Sequence, residues 1–340
     1  MSEHEFIVED LKTRLDKFLA KQLPEISRSQ IQRDIEGGQV EVNGQIITVT
    51  SFVVRLNDTV AYKQSANKQI SKPGIKPTNT PLKVLYNDHG LLIIDKPAGL
   101  TVHPGAGFKG ETLASALLYQ FKDIKLIGEE HRPGIVHRLD KDTSGVILVA
   151  TTQEMYEHLK DAFAERKIKK EYIALVYGKV KKQHGFIETP IGQSKTDFRK
   201  QTVKNPKTAK EAVTEYKVLE YLTSPSPSSD TTPFSLDDKW GTPARRGIEP
   251  VDSYTLLLIK LHTGRTHQIR VHLPSIGHPI VGDELYGPKK KKLNLHRQFL
   301  HAKKIEVRLP DKTWIETESE LPDDLKEVLI SLNSKTVNQL

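Results

Sequence analysis

Nine consecutive residues, His137-Arg138-Leu139-Asp140-Lys141-Asp142-Thr143-Ser144-Gly145, hold two carboxylates, two cations, a histidine and two hydroxyls. A carboxylate beside cations stays ionised and can act as a nucleophile or a base. The same residues can equally form a charged turn whose members pair with one another. A second cluster, residues 261–272, holds Arg265, Arg270 and three histidines: His262, His267 and His272. The histidines recur every five residues, which aligns them on neither a helix face nor a strand face, and no His-Glu-x-x-His pattern occurs. The arginines suit phosphate or a carboxylate partner better than the histidines suit a metal, so no metal is expected. A formal G-x-G-x-x-G match at Gly105, Gly107 and Gly110 lacks the strand directly before it, with Pro97 and Pro104 intervening. It reads as a turn entering a helix.

These clusters need elements to hold them. The apolar run 145–150 follows the first cluster at once, so the cluster reads as a loop at the end of a buried strand, where a rigid scaffold presents reactive groups. Residues 91–95, 172–177 and 254–261 read as further strands and 112–119 as a helix. Met155, Leu159, Ala162 and Phe163 form a helical stripe. Strands and helices mix without a regular βαβ rhythm, which predicts an α+β fold.

Residues 1–63 read as a separate small module. Leu11, Leu15, Phe18 and Leu19 recur at helical spacing, and Ser27 to Gln30 fits a capping box for a second helix carrying Ile31 and Ile35. Gly37-Gly38 supplies its stop, and Asn43-Gly44 between alternating apolar residues is a hairpin signal. Residues 64–80 are polar, with proline and glycine and no period, and read as a linker to the body, 81–340. A Ser/Pro-rich stretch near 223–250 reads as a surface insertion between two strands.

The chain has 340 residues, with 36% hydrophobic and 28% charged, enough to bury a core without disulfides or metals. It has no cysteine, which excludes disulfides, thiolate nucleophiles and Cys-based zinc sites. No run reaches the roughly 18 apolar residues of a membrane span, and the acidic start lacks an apolar signal core. A cytoplasmic protein without a membrane partner is expected. Lys+Arg number 51 against Asp+Glu 43, giving +8, which favours a polyanionic partner. Cations on the small module (Lys17, Lys21, and Arg28 and Arg33 of its second helix) and the run Lys289 to Lys292 are candidate phosphate contacts; each is equally an ordinary solvated charge.

At these residues the chain resembles the RluA family of pseudouridine synthases. His137 to Gly145 resembles the family's signature. Residues 92–99, continuing to Gly107, resemble its first motif. Lys170-Glu171-Tyr172 resembles its K-x-Y element, and 263–272, continuing to Gly282-Asp283, its third motif. Residues 13–62 resemble the S-four-type RNA-binding module, and Val102 to Gly107 is most similar to the RluD branch, which acts on large-subunit ribosomal RNA. Four ordered motifs are far more specific than any one. The insertion near 223–250 and Ser144, where some members have Thr, depart from the pattern without touching the implied chemistry.

The resemblance implies a mixed, mostly antiparallel sheet flanked by helices and loops. It implies isomerisation of uridine in structured RNA, most simply ribosomal RNA or the pre-ribosomal large subunit, with no small-molecule cofactor; a monomer is expected because nothing in the sequence suggests an interface. Asp140 is then the catalytic carboxylate, attacking the sugar or acting as base, and Arg270 its cationic partner, with Arg265 the alternative. Tyr172 stacks on or orients the extruded uracil, although from sequence alone it reads as a core tyrosine. Arg138 fills the gap left by the base or contacts phosphate. Lys96 is either an RNA-binding residue or structural. Two rival classes are a passive RNA-binding protein and a metal-dependent hydrolase using the histidines.

Overall fold

A computed structural model describes residues 3–9, 12–23, 26, 28–63, 75–104, 110–129, 132–224, 253–288, 293 and 295–340, with side chains for all of these but 3, 28–30 and 33. Outside the described residues lie the Ser27 cap, the side chains of Arg28 and Arg33, most of the expected linker, Gly105 and Gly107, most of the 223–250 insertion and the run Lys289 to Lys292. The chain divides into two compact units, Met1–Gly74 and Ile75–Leu340.

In the first unit, helices Leu15–Gln22 and Arg28–Glu36 accompany a four-stranded antiparallel sheet of Glu3–Ile7, Thr59–Lys63, Val40–Val42 and Gln45–Ile46. Leu15, Phe18, Leu19, Ile31 and Ile35, the apolar positions of the two helices, are buried with Val40, Val60 and Tyr62 in one core. Asn43 and Gly44 turn the expected hairpin, both at positive φ, which the Asn-Gly pair tolerates and most residues do not. The Tyr62 hydroxyl donates to Asp34 at 2.6 Å, satisfying a buried phenol that burial pushes above its usual pKa range.

The second unit is built on a nine-stranded sheet. Its strands, in chain order, are β1 (Lys83–Asp88), β2 (Leu91–Lys96), β3 (Ser144–Ala150), β4 (Lys169–Tyr177), β5 (His184–Ile187), β6 (Thr214–Thr223), β7 (Ser253–Leu261), β8 (Leu300–Arg308) and β9 (Trp314–Glu318). They lie in the order β5-β6-β7-β4-β8-β3-β2-β1, with β9 also pairing β8. All pairs are antiparallel except β3 with β8, which are parallel over Ser144↔His301 and Gly145↔Ala302. The apolar runs of β2 and β3 are buried along their length, as continuous hydrophobic strands covered on both faces should be.

Helices cover this sheet. Thr112 caps α1 (Leu113–Gln120) through a reciprocal bond pair with Ser115, and Thr152 caps α2 (Gln153–Ala164) by accepting from the Met155 N–H. The α2 stripe read from the sequence is the buried one: Met155, Leu159 and Ala162 lie in the core. Helices α3 (Gln268–Ser275) and α4 (Asp323–Ser331) complete the elements that bear on the site. Among the described residues no helix is long and apolar enough to cross a membrane.

Gly145 joins the charged loop to β3. Its φ is +111°, and an added Cβ would stand 2.1 Å from the Ala302 carbonyl oxygen. Only glycine lets the chain turn in here between β2 and β8, with the loop 137–143 hanging at the strand's end.

Candidate active site

The loop before β3 is fixed through its carbonyls. Lys141 O accepts from Gly99 N at 3.0 Å and from Lys96 Nζ at 3.0 Å; Asp142 O accepts from Arg297 Nη1 at 3.1 Å. Gln298 donates to the Thr143 hydroxyl at 3.1 Å, and Thr143 N closes a turn onto Asp140 O at 3.1 Å. Arg297 is itself held by both oxygens of Asp324, at the start of α4, at 2.6 and 2.9 Å. Asp140 therefore sits on a backbone pinned from four directions, and its carboxylate faces a cleft of about 470 Å³. That is within the usual size of a small-molecule site.

Lys96 corrects an expectation. It is fully buried, and its Nζ donates to the carbonyls of Pro97, Leu100 and Lys141 at 2.8, 2.9 and 3.0 Å. Burial pulls its pKa down to about 7, against Asp142 and Asp140, which raise it. With no exposed surface it cannot contact RNA directly; it ties the end of β2 to the residue after Asp140.

Arg270 approaches from α3. Its Nη1 donates to Asp140 Oδ2 at 2.9 Å, while Nε and Nη2 hold Asp283 at 2.7 and 2.9 Å. Asp283 also accepts the backbone N–H groups of Leu285 and Tyr286, both at 3.0 Å. Burial alone would lower the guanidinium pKa, but the bonds to Asp283 and then Asp140 more than offset it, so Arg270 stays cationic. The first turn of α3 is locked by Gln268, which accepts from the Thr263 hydroxyl and Arg265 N and donates to Val213 O and the Thr214 hydroxyl.

Tyr172 lines the same cleft from β4, almost buried, next to a register shift between Glu171 and Tyr172 against β8. Bulges of this kind re-aim a side chain. Burial, then the charge of Asp140, pushes its phenol above the usual range. Arg138 is exposed at the cleft, and Arg265 lines it with Nε donating to Glu211 O at 2.8 Å. Thus Asp140, Arg270, Tyr172, Arg138 and Arg265 are brought together, and Lys96 lies behind them.

The three histidines of the second cluster do not converge. His262 Nε2 bonds Glu215 at 2.9 Å, His272 lies between Thr214 and Thr189, and only His267 reaches toward Asp140, Nε2 to Oδ1 at 3.8 Å. Among the described residues no group of three or more histidines and carboxylates could hold a metal ion. Asp283 and Lys170 enter the sequence reading only as members of the motifs and His267 only as a histidine weighed for a metal; none is given a role at the site there, and Tyr286 is not singled out. Lys170 lines the cleft, its amine 5.4 Å from the Phe163 ring centroid and lowered by burial to about 8. The K-x-Y pattern was the one signal that could have found it.

The model of the RNA pseudouridylate synthase family matches residues 90–275, and that of the S4 domain matches 13–60. The chain is similar to a protein of Aquifex aeolicus described as an uncharacterized RNA pseudouridine synthase, 39% identical over 95% of both chains. It is similar to the ribosomal large subunit pseudouridine synthase D of Nitrosomonas europaea, 38% identical over 94% of this chain and 85% of that one. The solved structure of human RNA pseudouridylate synthase domain containing 1 shares the fold. It has a TM-score of 0.55 and 24% identity, and the match covers 74% of this chain and 89% of the human one.

Proposed function

The chain belongs to the RNA pseudouridylate synthase family, and from that premise we propose that it converts specific uridines of large-subunit ribosomal RNA to pseudouridine with Asp140 as the catalytic carboxylate. In the isomerisation the bond between ribose C1′ and uracil N1 breaks. The base rotates, a bond forms between C1′ and C5, the C5 proton leaves to solvent and N1 gains a proton. Atoms and electrons balance with no redox change and no incoming group.

The observation that carries the reading is the Arg270–Asp140 pair at 2.9 Å beside an open cleft. A carboxylate among RNA phosphates is destabilised as an anion, and a fixed guanidinium restores it. Asp140 then attacks C1′ or acts as base at the sugar. The target uridine must leave its stack to reach it. Tyr172 receives the extruded uracil on its ring, Arg138 fills the vacated stack or holds phosphate, and Arg265 contacts the backbone.

The domain division is part of the proposal. Residues 1–63, through Arg28 and Arg33 among others, hold structured RNA near the catalytic domain, 81–340, by effective concentration across the linker 64–80. The enzyme acts as a monomer in the cytoplasm, on ribosomal RNA or the assembling large subunit.

The test uses ribosomal RNA tritiated at uracil C5, from which pseudouridine formation releases tritium to water. Wild type should release it, and Asp140→Asn should fall by at least about 10²- to 10⁴-fold while binding the same RNA. Release by the variant at the wild-type rate would remove Asp140 from the chemistry, and no release by wild type from RNA or precursor particles would remove the activity.

A further inference from the structure

His267 occupies the position before α3 with a left-handed backbone, φ +55°. Its side chain is mostly buried between Asp140 and Tyr286. Three contacts in series fix where its proton sits. Gln201 N–H donates to the Tyr286 hydroxyl oxygen at 2.8 Å. That oxygen lies 2.8 Å from His267 Nδ1. His267 Nε2 lies 3.8 Å from Asp140 Oδ1.

A phenol has one proton, and Tyr286 is buried, so that proton needs a partner. Gln201 can only donate. If Nδ1 also carried a proton, the tyrosine oxygen would receive two N–H groups and its own proton would lose its natural acceptor. The arrangement that satisfies every group is Gln201 N–H to Tyr286 Oη, and Tyr286 O–H to His267 Nδ1. The imidazole is then neutral, with its hydrogen on Nε2, directed at the carboxylate.

We propose that His267 is a positioning residue for Asp140: a neutral imidazole, held by Tyr286 as the Nε2–H tautomer, that supplies the second hydrogen-bond donor to the catalytic carboxylate. Arg270 holds Oδ2 at 2.9 Å and His267 Nε2 stands 3.8 Å from Oδ1, placed to engage the second oxygen and set the carboxylate plane when the gap closes. With Arg270 alone the carboxylate could swing about its Cβ–Cγ bond. The 3.8 Å separation is about 1 Å longer than a hydrogen bond, and catalytic contacts of this kind commonly tighten when substrate is bound.

Four charged groups surround the ring: Asp140 and Asp283 favour a cation, and Arg270 and Arg138 oppose it. Burial is the largest influence and holds the imidazole below its usual pKa. The Tyr286 ring meanwhile lies 5.3 Å from the Arg270 guanidinium, so one tyrosine steadies both donors. The series begins outside the large sheet, at Gln201 of the Gly192–Gln193/Gln201–Thr202 ladder.

The inference rests on the reading of Asp140 as the catalytic carboxylate, and its first test does not depend on activity. In protein labelled with ¹⁵N-histidine, the signals that vanish in His267→Gln identify this ring. At neutral pH its Nδ1 should appear as the unprotonated nitrogen and Nε2 as the protonated one. Tyr286→Phe should shift the ring toward the other tautomer. A protonated Nδ1 in wild type would overturn the proposal.

The second test is kinetic, by tritium release. His267→Ala should lose about 10- to 100-fold in kcat with KM little changed, and His267→Gln, whose amide N–H reaches the place of Nε2–H, should recover most of it. Tyr286→Phe should lower kcat although His267 is intact. Equal rates for Ala and wild type, or Gln no better than Ala in variants with wild-type melting temperatures, would overturn the role. If wild type released no tritium, the catalytic reading would fall, and the spectrum would still decide the tautomer.

Discussion

Arg270 touches Asp140 with a single nitrogen, Nη1 at 2.9 Å, and gives its other two donors to Asp283. The guanidinium fork is thus anchored on a carboxylate that faces away from the cleft, and the third donor is aimed at the one that faces it. Asp283 sets the direction of Arg270, and Arg270 sets that of Asp140. A point charge could neutralise Asp140, but it could not hold this geometry.

Arg270→Lys should therefore be far from neutral. A lysine cannot span both carboxylates, and buried Asp283 would keep only its two backbone donors. Breaking a buried pair from one side costs about 3–5 kcal/mol when the partner is removed altogether; lysine should lose part of that in chemical denaturation. Tritium release should drop by about 10²-fold or more, as for other misplaced catalytic groups. The loss should not add to that of Asp140→Asn, because both act on one carboxylate. Full additivity in the double variant would show that Arg270 works elsewhere.

Lys96→Met should separate scaffold from RNA contact. Methionine fits the length of the side chain and removes the ammonium that three carbonyls share, a loss of about 1–3 kcal/mol in stability. Turnover should fall because Lys141 O loses one of its two anchors next to Asp140. The salt dependence of RNA binding should be that of wild type. Arg138→Gln should do the opposite, keeping stability and reducing the salt slope by about one. A reduced salt slope in Lys96→Met would return this lysine to the RNA surface.

Local signals carried much of the fold. Alternation of Asn43-Gly44 with apolar neighbours, the Met155 stripe and the apolar runs of β2 and β3 each depend on a few adjacent residues, and each element lies within a residue or two of its expected bounds. The site was legible where its residues sit in one short motif, as Arg138 and Asp140 do. Asp283 is 143 residues from Asp140; the third motif includes it, but only the fold shows it as the carboxylate that orients Arg270. Tyr286 and Arg297 belong to the same class: their roles arise from packing β8, α3 and α4 around the loop, which no local pattern records. Lys96 stayed open between RNA contact and structure because a lysine is usually exposed, and only tertiary structure supplies the three carbonyls that hold it buried.

His301 should make the catalytic domain acid-sensitive. It is fully buried in β8, accepting from the Ser144 hydroxyl at Nδ1 (3.0 Å) and donating from Nε2 to Ser319 O (3.1 Å). Burial first, offset in part by that carbonyl, lowers its pKa from 6.5 to about 4. Between these values the unfolded chain binds the proton at this ring and the folded one does not, so the contribution of His301 to stability is constant above about pH 6.5 and is lost as pH drops toward 4. The full loss is roughly 3 kcal/mol for this one ring. Urea denaturation at pH 7 and pH 4.5 should show the decline, and His301→Gln should reduce it. An equal decline in the variant would assign it to other groups, His137 first, whose pKa burial lowers to about 3.

Tyr172 distinguishes a stacking surface from an acid–base group. The phenol is buried, and burial together with the nearby charge of Asp140 keeps it protonated above its usual range. It is therefore a poor base at neutral pH, and its ring is the part that can receive a base. Stacking of a nucleobase on an aromatic ring contributes about 1–3 kcal/mol. Tyr172→Phe keeps the ring and should retain activity within about tenfold, whereas Tyr172→Leu should lose about 10- to 100-fold. The pH profile of kcat should keep the same shape in wild type and Tyr172→Phe, with no limb attributable to a phenolate. If phenylalanine were as damaging as leucine, the hydroxyl would have to take part in the chemistry, either by donating to the uracil or by moving the C5 proton.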